Sequence, residues 1–245
     1  MNILQTIMKY SYMKFDYPQH KSTILQILKD IYTDTSISPY LGFKGGTAAM
    51  MFYGLPRHSV DIDLDLLDET KEAEVFEKIN LIVKEYGEIK NSYQKKYTLL
   101  NIISYHPQSQ NIKIEVNRRQ FGSRYDVKTL LGISMLVMIR EDMFAHKLMA
   151  MYERVGKTSR DIFDVNFFAK NNWPINQEIV KARSGMSFEE TLVQCIKLLE
   201  KMDNKHILDG LGELLNDAQK DSLRVKLKSD TIFQLRVMLA NCLGK

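Results

Sequence analysis

The sequence predicts an α+β fold, with mixed α/β elements to about residue 135 and helices after it. Three observations predict it. The run Val60-Asp61-Ile62-Asp63-Leu64-Asp65-Leu66 alternates apolar and acidic residues at period two, as a strand with one buried face does. Lys96 to Tyr105 and Ile112 to Asn117 are further strand-like runs, and the turn-prone His106-Pro107-Gln108-Ser109-Gln110-Asn111 between them suits an antiparallel pair. From Arg140 onward the apolar residues recur at helical spacing instead.

In chain order, Ile24, Ile27, Leu28 and Ile31 predict an amphipathic helix over 21–32. Thr47 to Tyr53 is a helix-prone run that follows Gly45-Gly46 and is ended by Gly54 and Pro56. Lys71 to Tyr86 reads as a helix. A strand is expected near Val127 to Met138, although its apolar residues do not alternate cleanly. Ser187-Phe188-Glu189-Glu190 forms a capping box before the apolar run Leu192 to Met202, and Asp230 to Leu243 is a further helix. The expected division is an α/β domain over 1–135 and a helical part over 136–245 that completes the active site.

Composition sets the class. The chain has 245 residues, 44% hydrophobic and 26% charged, which is the profile of a soluble globular protein with a sizeable core. Cys195 and Cys242 lie far apart with no metal-ligand spacing, so reduced thiols in a cytoplasm are expected. Met1 to Tyr10 lacks the apolar stretch of a signal peptide, and no run approaches the length of a membrane span, so no membrane role is expected. The net charge of +4 falls short of the strong bias of a dedicated duplex-DNA binder. Basic residues cluster locally at Lys95-Lys96, at Arg118-Arg119 with Arg124, and from Lys220 to Lys228.

The acidic strand carries the chemistry. Asp61, Asp63 and Asp65 point to one side of it, and aligned like charges repel unless a cation relieves them. Hard oxygen ligands suit Mg²⁺ or Mn²⁺. Upstream, Gly45 and Gly46 open a helix whose free amides and dipole favour an anion such as a triphosphate. The order strand, glycine turn, short helix, loop, acidic strand sets a phosphate cradle beside metal-binding acids.

The run FKGGTAAMMFYGLPRHSVDIDLDL resembles the signature of the AbiEii/AbiGii toxin family, nucleotidyltransferase-fold proteins of bacterial toxin–antitoxin and abortive-infection systems. Lys44, Gly45, Gly46, Thr47, Ala48, Arg57, Ser59, Asp61, Ile62 and Asp63 match its first motif. Lys147, Ala150, Arg160, Asp161 and Asp164 match a distal one. The resemblance implies a nucleotidyltransferase-fold mixed sheet and transfer of a nucleoside monophosphate from an NTP. It also implies an RNA acceptor, in particular the tRNA 3′ end, and a separately encoded antitoxin as partner. Asp61 and Asp63 would then hold Mg²⁺ or Mn²⁺, while Lys44, Gly45, Gly46, Thr47, Ser59 and Arg160 would contact the nucleotide.

Four further residues follow from pattern and resemblance together. Glu115 shares a strand face with Lys113 and Asn117, where such folds place a third carboxylate. Asp65 is the rival for that position, and the residues leave the choice open. Lys147 falls in the apolar stripe of Phe144, Leu148 and Met151, so it needs an anionic partner; by resemblance it serves the NTP phosphates. Asp161 and Asp164 share an apolar helix face with Val165 and Phe168, and either could orient Lys147 or Arg160 or contact substrate.

Other signals are set aside. Gly156-Lys157-Thr158 lacks the glycine five residues earlier that a P-loop requires and reads as an inter-helix loop. The five histidines have no zinc spacing, so no zinc site is expected. Two alternatives remain open on sequence alone: the same chemistry on a small molecule or a protein side chain, or a non-catalytic module that binds nucleotide or RNA.

Overall fold

Helix α1 spans Tyr17–Thr33, four residues longer at its start than the periodicity predicts. Asp16 accepts a hydrogen bond from the Gln19 amide, and a proline in the first turn has no amide to leave unpaired. The computed structural model describes residues 16–107 and 109–244, so Met1 to Tyr10 lie outside the described residues. Among the described residues are seven strands and eight α-helices, an α+β protein.

The described chain forms two compact units. The first comprises the residues up to Leu41, then Val60–Arg119 and Thr129–Met135. It contains α1, strand β2 (Ile62–Leu66), helix α3 (Glu72–Lys84) and strands β3 (Glu88–Lys95), β4 (Thr98–Ser104) and β5 (Ile112–Asn117). The strands stand in the order β3-β4-β5-β2, with β3 and β5 antiparallel to β4 and β2 parallel to β5. The expected antiparallel pair is therefore β4 and β5. Val60, Ile62, Leu64 and Leu66 are all buried, as are Val75, Ile79 and Val83 of α3. Tyr32 of α1 donates a hydrogen bond to the Leu41 carbonyl.

Two strand expectations are corrected here. Strand β3 was not foreseen, because it is the outermost strand and exposed along nearly its whole length, so no apolar alternation marks it. Its partner begins at Thr98, not Lys96, since Lys96 and Tyr97 make the two-residue reversal between them. The single strand expected over 127–138 is two, β6 (Tyr125–Leu130) and β7 (Ile133–Met138). Leu131 and Gly132 between them both have positive φ, the backbone that matches the twist of a tight hairpin, and this reversal is why the apolar pattern breaks.

The second unit comprises Gly42–Ser59, Gln120–Lys128 and Leu136 onward. Strand β1 (Leu41–Lys44) pairs in parallel with β7 at Gly42 and Phe43. Helix α2 (Gly45–Tyr53) follows at once and ends on Gly54 in the left-handed conformation. Then come α4 (Arg140–Arg154), α5 (Arg160–Lys170), α6 (Gln177–Ser184), α7 (Phe188–Lys201) and α8 (Asp217–Leu243). Phe144 of α4 meets Phe168 of α5 edge to face, and Trp173 stacks on Phe168 with ring centres 4.0 Å apart. The Ser187–Glu190 capping box is present, and a second one, Asn216 with Gln219, starts α8 thirteen residues before the predicted Asp230. Gly156–Thr158 lie between α4 and α5. Cys195 is buried, its thiol pushed up to about 12 by desolvation, and Cys242 is half-buried. No described helix is long and apolar enough to cross a membrane.

Candidate active site

In the first unit the strand register explains the acids. Asp63 stands directly beside Glu115 in the parallel β2–β5 pair, so the two carboxylates share a face, and Asp61 immediately precedes the strand, two residues before Asp63. Lys113 lies among them. Its ammonium is 2.9 Å from Glu115 Oε2. Burial works against its charge, but the fields of Asp63, then Glu115 and Asp61, prevail and raise its pKa. Lys113 thus acts as the internal counter-charge of this carboxylate set.

Asp65 behaves differently from its two neighbours. It is 5% exposed and accepts a hydrogen bond of 2.7 Å from Asn117 Nδ2, its partner in register. Asn117 in turn donates to the Arg119 carbonyl. The three aspartates are therefore not equivalent: Asp61 and Asp63 are half-buried, whereas Asp65 is built into the sheet. Val60, just before Asp61, is held through its carbonyl by His20 Nε2 at 2.9 Å, while His20 Nδ1 faces the Tyr105 hydroxyl at 2.9 Å. Desolvation lowers the His20 pKa, so the ring is neutral, donating to Val60 and accepting from Tyr105.

In the second unit the glycine turn and the distal motif meet. Gly45 has φ +77°, which side chains other than glycine's rarely adopt. Gly46 is required by proximity: a Cβ there would stand 2.6 Å from Arg57 Nη2 and 2.9 Å from Ser59 Oγ. Its lack of a side chain makes room for this chain's own arginine and serine. Thr47 is fully buried and donates to Ser59 Oγ at 2.9 Å. Lys44 sits at the N-cap of α2 and makes no side-chain cap bond to the helix.

Arg57 and Asp164 form a two-pronged pair, Nε to Oδ1 at 2.6 Å and Nη2 to Oδ2 at 2.7 Å, with both side chains essentially removed from solvent. Lys147 reaches Asp164 at 2.7 Å and Asp161 at 3.2 Å, which supplies the anionic partner its place in an apolar stripe demands. Arg154 Nη2 lies 2.7 Å from Asp161 Oδ2, without hydrogen-bond geometry. Burial alone would raise the Asp164 pKa, but Arg57 and Lys147 outweigh it and hold the carboxyl at about 2. Burial likewise opposes the charge of Lys147, and Asp164 and Asp161 more than restore it. The cluster carries Arg57, Lys147 and Arg154 against two carboxylates, one positive charge in excess.

Arg57 is the residue that sequence reasoning did not assign to the site, although it stands in the first motif. Its loop is pinned on both sides: the His58 amide donates to the Leu214 carbonyl, and Gln219 donates to the Pro56 carbonyl. Arg160 opens α5, its amide facing the Thr158 hydroxyl at 3.5 Å. A cavity of about 510 Å³ in this unit, lined by Tyr53, Asp126, Lys128, Arg140 and Glu141, contains none of these residues. Its charges balance, so it has no net attraction for a polyphosphate.

Among the described residues, no group of three or more His, Cys, Asp or Glu side chains is disposed to hold a metal ion. Mg²⁺ needs less than that. It commonly takes one or two carboxylates and completes its shell with water and substrate phosphates. Asp61 and Asp63 supply such a pair of hard oxygen donors, so the residues fit a divalent ion that arrives with a nucleotide. Glu115 is engaged by Lys113.

The fold is shared with solved structures. JHP933 from Helicobacter pylori superposes with a TM-score of 0.59 at 18% identity, covering 92% of each chain. A candidate nucleotidyltransferase from H. pylori gives the same score and identity over 92% of this chain and 95% of the other. The class this fold defines is the nucleotidyltransferase-like α+β protein. No match was found among curated proteins. Residues 26–232 match the family described as nucleotidyl transferase AbiEii toxin, type IV toxin–antitoxin system, and the chain belongs to that family. It is a nucleotidyltransferase.

Proposed function

We propose that this enzyme transfers a nucleoside monophosphate from an NTP to a hydroxyl at an RNA end, the tRNA 3′ end by resemblance. We further propose that it acts in the cytoplasm as the toxin partner of a separately encoded antitoxin. The observation that supports a metal-dependent reaction most directly is the strand register that sets Asp63 beside Glu115 on one sheet face, with Asp61 two residues before Asp63. A Mg²⁺ or Mn²⁺ ion held by Asp61 and Asp63 would supply positive charge to the phosphate oxygens when bound. Glu115 is the third carboxylate in this reading, not the interior Asp65.

The acceptor oxygen attacks the α-phosphorus, the bond to the β-phosphate oxygen breaks, and pyrophosphate leaves. The acceptor's proton passes to the carboxylate set of Asp61, Asp63 and Glu115. The amides of Gly45, Gly46 and Thr47 at the start of α2 offer a triphosphate its anion site, with Lys44 and Ser59 flanking them. Lys147 keeps its proton through Asp161 and Asp164, so it can offset charge that develops on the leaving pyrophosphate. Asp161 and Asp164 are then positioning residues for Lys147, and Arg160 remains a nucleotide contact by resemblance alone.

The test is a transfer screen with each α-labelled NTP against total RNA, and separately against small acceptors and proteins. Label in RNA with wild type, and none with Asp61→Asn of unchanged circular dichroism, is the expected result. Label only in small molecules or protein would overturn the RNA acceptor, and NTP binding without any product would overturn turnover itself.

A further inference from the structure

Seven consecutive residues, Asn91 to Tyr97, are exposed where β3 turns into β4. In place of the mixed charge of an ordinary surface, this stretch carries cations laid on aromatic rings. The Lys95 ammonium lies 4.6 Å from the centre of the Tyr93 ring, Lys96 lies 5.1 Å from that of Tyr97, and the Arg119 guanidinium approaches Tyr97 at 5.7 Å. Among the described residues no carboxylate pairs with Lys95, Lys96 or Arg119. The nearby Arg118 is tied to Glu72 and to the carbonyls of Lys95 and Lys96, so it braces the turn. Arg119 is oriented by Asn117 Oδ1 at 3.2 Å. Rings for stacking with uncompensated cations around them are what a sequence-tolerant single-strand platform requires.

The strand register gives this patch a direction. Tyr93 pairs with Leu100, Leu100 with Glu115, and Glu115 with Asp63; Lys95 likewise leads through Thr98 and Asn117 to Asp65. Residues directly opposite on neighbouring strands point to the same face. Tyr93 and Lys95 therefore share a sheet face with Glu115, two strand spacings away, and with Asp63, three spacings or about 14 Å away. Stacked nucleotides rise about 3.4 Å each, so that distance corresponds to about four of them.

We infer that the β3–β4 hairpin, through Tyr93, Lys95, Lys96, Tyr97 and Arg119, is the docking surface for single-stranded RNA about four nucleotides from the reacting 3′ end. The inference rests on the RNA-acceptor reading. It goes beyond that reading in assigning a surface and a substrate form, an unpaired strand instead of a duplex. The hairpin binds phosphates with its lysines and bases with its tyrosines, and selects little sequence.

The experiment measures anisotropy of a 5′-labelled single-stranded RNA on the full chain across a salt series, in parallel with transfer. Lys95→Gln/Lys96→Gln should bind more weakly and lower the log–log salt slope by about 1.4, since each neutralised contact removes about 0.7. Tyr97→Ala should weaken binding roughly ten-fold at fixed salt. Asp63→Asn should bind RNA as wild type does while failing to transfer. Wild-type affinity and slope in both hairpin variants, with RNA still labelled by wild type, would overturn the surface while sparing the proposed reaction. An RNA that wild type neither binds nor labels would overturn the acceptor reading and this surface with it. Preference for a duplex of the same sequence would overturn the single-strand platform alone. An exposed edge substitution leaves the core intact, and an unchanged circular-dichroism melt checks this.

Discussion

Arg57 and Asp164, 107 residues apart in the chain, are joined by two hydrogen bonds of 2.6 and 2.7 Å in a setting almost without solvent. This pair connects the two sequence motifs, because Gly46 abuts Arg57 and Lys147 binds Asp164. Removing one partner of a buried pair strands the other charge, at a cost of about 3–5 kcal/mol. Arg57→Met or Asp164→Leu alone should lower the melting temperature by roughly 10 °C. The double replacement should cost less than the sum of the two, read from urea denaturation of all four proteins. The pH dependence has a definite sign. The Asp164 carboxyl is depressed from 3.8 to about 2, so its contribution is fully present above about 3.8 and is lost as pH falls toward 2. Asp164→Asn should flatten the acid limb of stability in that window.

Gly46 offers a sharper test of how the turn is built. A methyl group at this position would press on Arg57 Nη2 and Ser59 Oγ, so Gly46→Ala should cost about 1–3 kcal/mol. Because the methyl group acts mainly through Arg57, its cost should shrink in an Arg57→Ala background. Additive costs across that cycle would mean that the glycine is needed for another reason.

The sequence made the elements with an apolar period legible: the buried face of β2, the stripe of α4, and the boundary at which helices take over. It also placed Lys147 inside that stripe and demanded an anionic partner, which the structure supplies twice. What it could not mark were elements without a core side. β3 is almost wholly exposed and carries no alternation, and the β6–β7 reversal hides in Leu131, a residue type that rarely adopts positive φ. Asp65 illustrates a different limit. Period two assigns it to the same side as Asp61 and Asp63, but only the cross-strand register reveals Asn117 beside it. Arg57 was visible as a motif residue, yet its role depends on a partner in a distant helix, which local pattern does not encode.

His20 predicts a pH effect near neutrality. The buried ring holds the Val60 carbonyl directly before Asp61, and its pKa is lowered from 6.5 by desolvation. The unfolded chain therefore takes up the proton more readily than the folded one. Stability is complete above about 6.5 and declines as pH falls from there through the lowered folded value. Urea midpoints at pH 7.5 and 5.5 should differ in the wild type and differ less in His20→Gln. A protonated His20 also has no acceptor for the Tyr105 hydroxyl, so Tyr105→Phe should be tolerated better at the lower pH.

Lys113 makes metal binding testable without any turnover. In the absence of a divalent ion its ammonium offsets Asp63, Glu115 and Asp61. A metal at Asp61 and Asp63 would compete with it for the same negative charge. Mg²⁺ or Mn²⁺, added with a non-hydrolysable NTP analogue, should raise the melting temperature of the wild type. At a hundredfold excess over the dissociation constant the gain is about 2.7 kcal/mol. Lys113→Gln removes the ammonium that offsets Asp63 and Glu115, so it should start from a lower melting temperature and gain more from the metal. Asp63→Asn should gain almost nothing, and a chelator should reverse every shift. If all three proteins respond to metal alike, the ion binds elsewhere, and Asp61 and Asp63 lose their assignment as its ligands whatever the transfer assay returns.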